Sequence, residues 1–194
     1  NRKTFDDDFE RLIAAAELAE QARKAPQERR EQAQNITQPC WLGVVDIDHF
    51  KKINDNFGHL FGDEVLLRVA DLMRQSFRNN DKLFRFGGEE FVVMLRNVAE
   101  DHVQNIFDRF RLDVERHDFP RVGRVACSLG FARIDPRLSP AELLGRADEA
   151  LYYSKNNGRN QANGFDELIM SGKLRINTPA GQAQIQSDID EIFL

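Results

Sequence analysis

The adjacent glycines Gly87 and Gly88 constrain the fold of this 194-residue chain more than any other feature. Runs rich in aromatic and apolar residues flank them at 83–86 and 91–95. Because glycine enters the φ > 0 region at little cost, the pattern predicts a β-hairpin with a tight turn. Glu89 and Glu90 then lie at the tip of a two-stranded element, where carboxylates can hold a metal or face a polyphosphate. Taken alone, the stretch fits a solvated acidic turn equally well.

A second pair of acids, Asp46 and Asp48, ends a nearly continuous apolar run that starts at Cys40. Such a run is typical of a strand buried on both faces. A carboxylate at the end of a buried strand is costly to desolvate unless a cation faces it. The pattern therefore favours a metal or a cationic partner at Asp46 over a strand that simply emerges into solvent.

Composition limits the classes of protein that this chain can belong to. The net charge of −5 argues against general nucleic-acid binding, although a local cluster of cations could still bind a nucleotide. The two cysteines, Cys40 and Cys127, are too few for a disulfide framework, so we expect free thiols and a cytoplasmic location. No apolar run approaches the ~18 residues of a membrane span, which predicts no membrane contact by this chain. Because the chain starts at Asn1 without a methionine, we expect a fragment of a longer protein, and an upstream membrane anchor stays open.

Helical periodicity, capping residues and breakers divide the rest of the chain. They predict helices at 4–24, 49–58, 61–77 and 100–117, a further helix from the Ser139 capping box to about residue 155, and strands at 125–132 and 160–165. A hairpin in the middle of this order excludes an all-parallel sheet. We expect one α+β domain over residues 1–165, with a central mixed or mostly antiparallel sheet and helices packed around it. No function is assigned to the polar residues 26–38 or to the C-terminal tail at 166–194.

The two acidic clusters, at 46–48 and 89–90, are expected at the ends of neighbouring strands. Carboxylates placed in this way hold Mg²⁺ against substrate phosphates, and two such metals can support an in-line displacement at phosphorus. Lys51, Lys155 and Arg159 supply cations for phosphate oxygens. The residues therefore point to chemistry on a nucleotide.

Several motifs together resemble one family. Residues 86–91 resemble the signature of the GGDEF family, the diguanylate cyclases, in its Gly-Gly-Glu-Glu-Phe form. Residues 46–55, 57–59 and 62–63 resemble the family's first long motif. Residues 147–148, 150–152 and 155–160 resemble its last motif, and Asn1 and Arg2 resemble the end of its opening motif. Long motifs in the right order are far more specific than one Gly-Gly turn, and the resemblance spans roughly residues 1–163.

The resemblance implies a palm-like α+β fold shared with nucleotidyl cyclases, and condensation of two GTP into cyclic di-GMP with release of two pyrophosphates. It implies two Mg²⁺ ions per active site, with Mn²⁺ as an alternative, held by Asp46, the backbone carbonyl of Ile47, and Glu89. Glu89 is also implied as the base for the attacking 3′-hydroxyl, and Glu90 as a further residue of the metal shell. Lys51 would stabilise the charge that develops on the phosphate.

The substrate contacts are implied in the same way. Lys155 and Arg159 would bind the terminal phosphates, and Asn54 and Asp63 would recognise guanine, whose N–H donors suit a carboxylate. Three further residues are expected to contact the substrate: Phe50, Gly87 and Gly88. One domain binds one GTP, so the resemblance implies a homodimer for catalysis.

Arg78 and Asp81 lie just upstream of the glycines, where the family has an inhibitory product site. An arginine can clamp the O6 and N7 atoms of guanine, which predicts inhibition by cyclic di-GMP, with Arg109 as a supporting arginine. The alternative is that Arg78 and Asp81 have no ligand, and are an arginine at a helix C-terminus and an aspartate that forms the following turn. Such pairs are frequent by chance.

Two other functions were compared with an active cyclase. A catalytically silent module would bind cyclic di-GMP through Arg78 and Asp81. A cyclase acting on one nucleotide is disfavoured by Asn54 and Asp63 within this motif. Because the acids and the lysines are all present, the sequence favours an active diguanylate cyclase.

Overall fold

A computed structural model describes residues 2–24 and 39–175 of the protein. The link expected at 26–38 and the part of the tail after residue 175 lie outside the described residues. The elements follow in this order: α1 (Arg2–Lys24), β1 (Trp41–Ile47), α2 (Phe50–Phe57), α3 (His59–Ser76), β2 (Lys82–Gly87), β3 (Glu90–Leu95), α4 (Glu100–Arg116), β4 (Asp118–Phe119), β5 (Gly123–Arg124), β6 (Cys127–Arg133), α5 (Pro140–Asn156), β7 (Ala162–Gly164) and α6 (Phe165–Met170).

The main sheet has the strand order β2-β3-β1-β6-β7. Its strand pairs are antiparallel except for β6 and β7, which run parallel. The central strand β1 is buried at every position, as its continuous apolar run predicted. The expected α+β fold with a mixed, mostly antiparallel sheet is therefore confirmed, and β2 and β3 form the expected hairpin.

Helices cover both faces of this sheet. Alternate residues of a strand point to opposite faces, so Val45 packs in one core and Val44 in the other. The Val45 core includes Val65 of α3 and Phe107 of α4, and the Val44 core includes Leu143 of α5. Asp46 shares the parity of Val44, so its side chain lies on the face that α5 covers.

Because Gly130 of β6 has no side chain, the backbone of α5 packs directly against the backbone of the sheet at this position. A β-carbon at this position would overlap the backbone of Ala147 and Leu151. No residue other than glycine fits there without displacing the helix. This contact sets how close the C-terminal turn of α5 lies to the end of β1.

Two small elements were not predicted. The β4–β5 pair comprises only two residues on each strand, which is too short for a periodicity signal. Helix α6 starts at the boundary expected between 165 and 166, and its Phe165 and Leu168 are buried. The folded part of the chain therefore continues beyond that boundary.

Candidate active site

Asp46 and Glu90 lie directly opposite each other at the end of the β1–β3 pairing. Residues that face each other in an antiparallel pair project to the same side of the sheet. Asp46 is only 5% exposed, and Glu90 is half-buried. The sheet thus places two carboxylates side by side, and it pairs Glu90 rather than Glu89 with Asp46.

Lys155, in the last turn of α5, forms an ion pair with Asp46. Its Nζ atom lies 2.7 Å from Oδ2 of the aspartate. Burial raises the pKa of Asp46 to about 6, although the Lys155 ammonium opposes this shift and the charges of Glu89 and Asp48 add to it. Asp46 therefore lies in a crowded anionic region that a single lysine only partly neutralises.

The pKa of Glu90 is raised further, to about 7. Burial is the largest cause, followed by the charges of Asp46 and Asp148, while Lys155 opposes them. Asp148 lies on α5 within the motif at 147–152, but the sequence did not single it out as a site residue. Acids whose pKa values are raised by one another mark a place where a cation would be stabilising.

The turn between β2 and β3 is formed by Gly88 and Glu89. Gly88 has φ 42°, in the left-handed region that favours glycine. The guanidinium of Arg85 donates to the carbonyl oxygen of Gly88, with Nη2 at 2.8 Å, and so braces the turn. A β-carbon at Gly87 or Gly88 would meet no atom within 4 Å, which leaves open space above the turn for a ligand. Arg85 carries no motif role, so the sequence did not indicate its bracing contact.

The donor atoms in this region suit a divalent cation of the magnesium type. Within residues 2–24 and 39–175, no group of three or more His, Cys, Asp or Glu side chains is arranged to hold a metal ion by itself. Mg²⁺ is usually held by one or two carboxylates together with substrate phosphates and water. Asp46, Glu89 and Glu90 offer such carboxylates, and Ile47 is the last residue of β1, one position beyond the pairing with β3.

Helix α2 begins at Phe50, two residues after Asp48. The residue that caps it, His49, has φ 59° and makes no side-chain hydrogen bond to the helix start. The N–H of Lys52 donates to the carbonyl oxygen of His49 at 2.9 Å. The N–H groups of Phe50 and Lys51 come before the first intrahelical bond, so they suit a phosphate. Lys51 is exposed in this turn, whereas the Phe50 ring is buried in the core. The ring of Phe50 therefore belongs to the core, and the expected contact of Phe50 with a substrate stays a prediction for its backbone.

Asn54 and Asp63 are brought near each other through Gly62. The Oδ1 atom of Asn54 is buried without a hydrogen-bond partner, and it lies where a β-carbon on Gly62 would be. Asp63 follows Gly62 in the first turns of α3 and is exposed. An unpaired buried carbonyl oxygen beside an exposed carboxylate provides acceptors for a ligand that carries N–H donors.

Arg159 lies in the turn after α5 and is exposed. Asp48, the second acid after β1, does not face open space. It accepts hydrogen bonds from the Ser128 hydroxyl, at 2.7 Å, and from the backbone N–H of Asn160, at 3.0 Å. Ser128 and Asn160 are far from Asp48 in sequence, so the sequence did not indicate these two hydrogen bonds. They give Asp48 a structural role.

The expected product-site residues lie around two cavities. Asp81 lines a cavity of ≈ 500 Å³, Arg109 lines a second of ≈ 710 Å³, and Arg78 lines both. Asp81 is buried and accepts the backbone N–H of Arg78 at 2.8 Å. Arg109 donates to the carbonyl oxygen of Ser76 at 2.6 Å. The structure thus brings Arg78 and Arg109 to one cavity and gives Asp81 a bracing contact in the loop.

Within the described residues, no helix combines the length and apolar character that crossing a bilayer requires.

Comparison with known proteins gives a consistent result. A family model described as "Diguanylate cyclase, GGDEF domain" matches residues 1–161. The diguanylate cyclase DgcP of Pseudomonas aeruginosa is 40% identical over 123 residues, which cover 62% of this chain and 18% of that protein. Diguanylate cyclase A of Treponema denticola is 42% identical over 122 residues, which cover 61% of this chain and 33% of that protein. The chain therefore spans a third or less of the length of these relatives.

A solved structure has the same architecture. The crystal structure of the GGDEF domain of DgcB from Caulobacter crescentus, in complex with c-di-GMP, matches with a TM-score of 0.70 at 32% identity. The match covers 86% of this chain and 91% of that domain.

Proposed function

We propose that this chain, which belongs to the diguanylate cyclase GGDEF-domain family, condenses two GTP molecules into cyclic di-GMP and releases two pyrophosphates. The single observation that carries this proposal is the meeting of Asp46, Glu90 and Lys155 beside the turn at Gly88 and Glu89. Acids with raised pKa values and a lysine within one site suit a reaction that handles metal-bound phosphates.

Asp46, Glu89, Glu90 and the backbone carbonyl of Ile47 are the residues that we propose for binding Mg²⁺, two ions per site, with Mn²⁺ able to replace them. The bound ions would lower the pKa of the attacking hydroxyl and neutralise charge on the phosphates. The oxygen donors fit such ions, and their repulsion would be relieved by them. Glu89, which is half-buried in the turn, is proposed to accept the proton of the 3′-hydroxyl.

The remaining contacts follow the phosphates and the base of the nucleotide. Lys155 and Arg159 are proposed to bind the terminal phosphates, and Lys51 to stabilise the charge that develops during transfer. Asn54 and Asp63 would accept the N–H donors on the pairing edge of guanine, which adenine does not offer in the same arrangement. The unpaired Oδ1 atom of Asn54 supports this assignment.

The backbone around the site would complete the phosphate contacts. The N–H groups of Phe50 and its neighbours start α2 without a side-chain cap, and the open space above Gly87 and Gly88 leaves room for the nucleotide. Since one such site holds one GTP, the two substrates meet only when two copies of the domain face each other. A homodimer is therefore proposed as the active species.

Cyclic di-GMP is also proposed to inhibit the enzyme at Arg78, Asp81 and Arg109. The support is the cavity that Arg78 and Arg109 share, together with the c-di-GMP complex of the DgcB domain. The same cavity favours a second candidate function, a module that binds cyclic di-GMP without making it.

One experiment separates the two functions. A concentrated, dimeric form of the chain is incubated with GTP and Mg²⁺, and cyclic di-GMP is measured by chromatography. We expect product from the native chain, none from Glu89→Ala, and a normal yield from Glu100→Ala, which alters an exposed acid in the first turn of α4. Binding of cyclic di-GMP without any turnover would support the silent module instead, and a Glu89→Ala variant with full activity would contradict the proposed enzyme.

A further inference from the structure

The turn that carries Arg159 has an unusual backbone. Gly158, Arg159 and Asn160 are consecutive residues in the left-handed region, with φ values of 116°, 61° and 46°. Glycine adopts this region readily and asparagine does so more often than most residues, but the β-carbon of Arg159 makes it unfavourable there. Such residues persist in this conformation only where the surrounding structure holds them.

The first contacts that hold the turn come from the end of α5. The backbone N–H of Arg159 donates to the carbonyl oxygen of Ser154 at 3.0 Å. The side chain of Gln161 donates to the carbonyl oxygens of Asn157, at 2.7 Å, and of Ser154, at 3.1 Å. These bonds satisfy carbonyl groups at the helix end, but they leave the side chain of Asn160 for another partner.

Asn160 is held from the side of α4. Its Oδ1 atom accepts from Nη1 of Arg111 at 3.0 Å, and its Nδ2 atom donates to Oε1 of Glu115 at 2.8 Å. Arg111 and Glu115 also pair with each other at 3.1 Å. Both ends of the amide are thus used, which fixes its orientation. The backbone N–H of Asn160 donates to Asp48, so the same residue is anchored to the end of β1.

Arg111 does not belong to the family motifs. Its burial and its partners differ from those expected of an arginine that binds a substrate. Its side chain is only 15% exposed, and its nitrogens are directed to Asn160, Glu115 and Asp108. A guanidinium used in this way acts on the structure around it rather than on a ligand.

We propose that Arg111 and Glu115 are positioning residues. Through Asn160 they hold the left-handed turn in the conformation that directs Arg159 to the terminal phosphates of the nucleotide. This inference rests on the proposed function, because it takes Arg159 as a phosphate-binding residue. Removing Arg111 leaves the Oδ1 atom of Asn160 without its donor and loosens the turn, so Arg159 is held less firmly while guanine recognition at Asn54 and Asp63 is unaffected.

The test compares the affinities for GTP, supplied as its 3′-deoxy analogue so that it binds without being condensed, and for GMP, which lacks the terminal phosphates. Both are measured by calorimetric titration of the full chain in Mg²⁺. We expect Arg111→Ala to weaken GTP binding by about tenfold, the size of one charge-assisted hydrogen bond, with GMP binding unchanged. Glu115→Gln keeps an acceptor for Asn160 and should retain the native ratio. Arg137→Ala removes an exposed arginine that pairs with Asp135, and it serves as the matched control.

Three further variants make the outcome decisive: Asn160→Gly, Arg159→Ala, and Arg111→Ala combined with Arg159→Ala. Asn160→Gly keeps the left-handed backbone and removes the amide, so it should reproduce the loss seen in Arg111→Ala even if the latter folds poorly. Arg111→Ala added to Arg159→Ala should cause no further change in the ratio of the two affinities. An equal loss of GTP and GMP binding in Arg111→Ala would overturn the positioning role while leaving the proposed function intact. An unchanged ratio in Arg159→Ala alone would instead remove the phosphate-binding assignment on which the inference rests.

Discussion

The ammonium of Lys155 lies 2.7 Å from Oδ2 of Asp46, and this ion pair joins the last turn of α5 to the end of β1. The same ammonium is proposed to bind the terminal phosphates, so it faces an anion of the protein and an anion of the substrate. Lys155→Met should raise the KM for GTP by about tenfold or more, because the phosphates lose a charge-assisted contact. Initial rates at varied GTP concentration check this. Lys173→Met, an exposed lysine after α6, is the control, and an unchanged KM in Lys155→Met would contradict the assignment.

The raised pKa of Glu90 predicts how stability depends on pH in the presence of a chelator. Below its ordinary pKa the carboxyl is neutral in both the folded and the unfolded chain. As the pH rises towards the folded-state pKa of about 7, the unfolded chain releases its proton first. The folded protein then binds more protons, so the free energy of unfolding falls as the pH rises through this range.

Glu90→Gln removes this titration. It should reduce the downward slope and increase the free energy of unfolding at pH 8 by about 1 kcal/mol, after allowance for solvent screening of a half-buried group. Urea unfolding at a series of pH values measures both effects. Glu100→Gln should leave the slope as it is, and a Glu90→Gln protein with the native slope would show that Glu90 titrates normally.

Base specificity should depend on Asp63. Inosine triphosphate lacks the 2-amino group of guanine, so a site that accepts two N–H donors discriminates against it. Asp63→Ala should reduce the ratio of kcat/KM for GTP over ITP by about tenfold. The neighbouring exposed acid provides the control as Glu64→Ala. Equal ratios in the native chain and in Asp63→Ala would exclude guanine recognition by this carboxylate.

Binding of cyclic di-GMP should depend on the arginines of the shared cavity. Arg78→Ala and Arg109→Ala should each weaken the affinity by about tenfold, since each removes a charged donor to the ligand. Calorimetric titration with cyclic di-GMP measures this, with Arg137→Ala as the exposed control. An unchanged dissociation constant in Arg78→Ala would place the product elsewhere.

Gly130 should be among the least replaceable residues. Gly130→Ala drives a β-carbon into the backbone of α5 and should reduce the free energy of unfolding by about 3 kcal/mol. Gly87→Ala meets open space and should change stability by less than about 0.5 kcal/mol. Urea unfolding of the two variants provides the comparison, and equal stabilities would mean that α5 moves aside without strain.

The sequence predicted those features that local patterns determine. The apolar run before Asp46, the glycine pair and the Ser139 capping box each act over a few residues, so β1, the hairpin and α5 were found where they were expected. Strand pairing follows from long-range contacts, and only the register showed that Glu90 faces Asp46. The partners of Asp48 could not be predicted for the same reason, because Ser128 and Asn160 come from distant segments of the chain.

Side-chain direction explains the other differences. Phe50 lies in a motif, yet its ring completes the core beneath α2, and a motif cannot show which atoms of a residue are offered to a ligand. Asn160 and Arg159 belong to one motif, yet in the left-handed turn Asn160 is bound to α4 whereas Arg159 is exposed.

The position of Arg78 between two cavities has a consequence for control. If ligands in both cavities contact the guanidinium of Arg78, they share one set of donors. A ligand in one cavity would then compete with a ligand in the other for this side chain. The more strongly each ligand depends on Arg78, the less readily both bind at the same time. If cyclic di-GMP binds, as proposed, in the cavity that Arg78 and Arg109 share, a compound in the cavity lined by Asp81 would oppose its binding through Arg78.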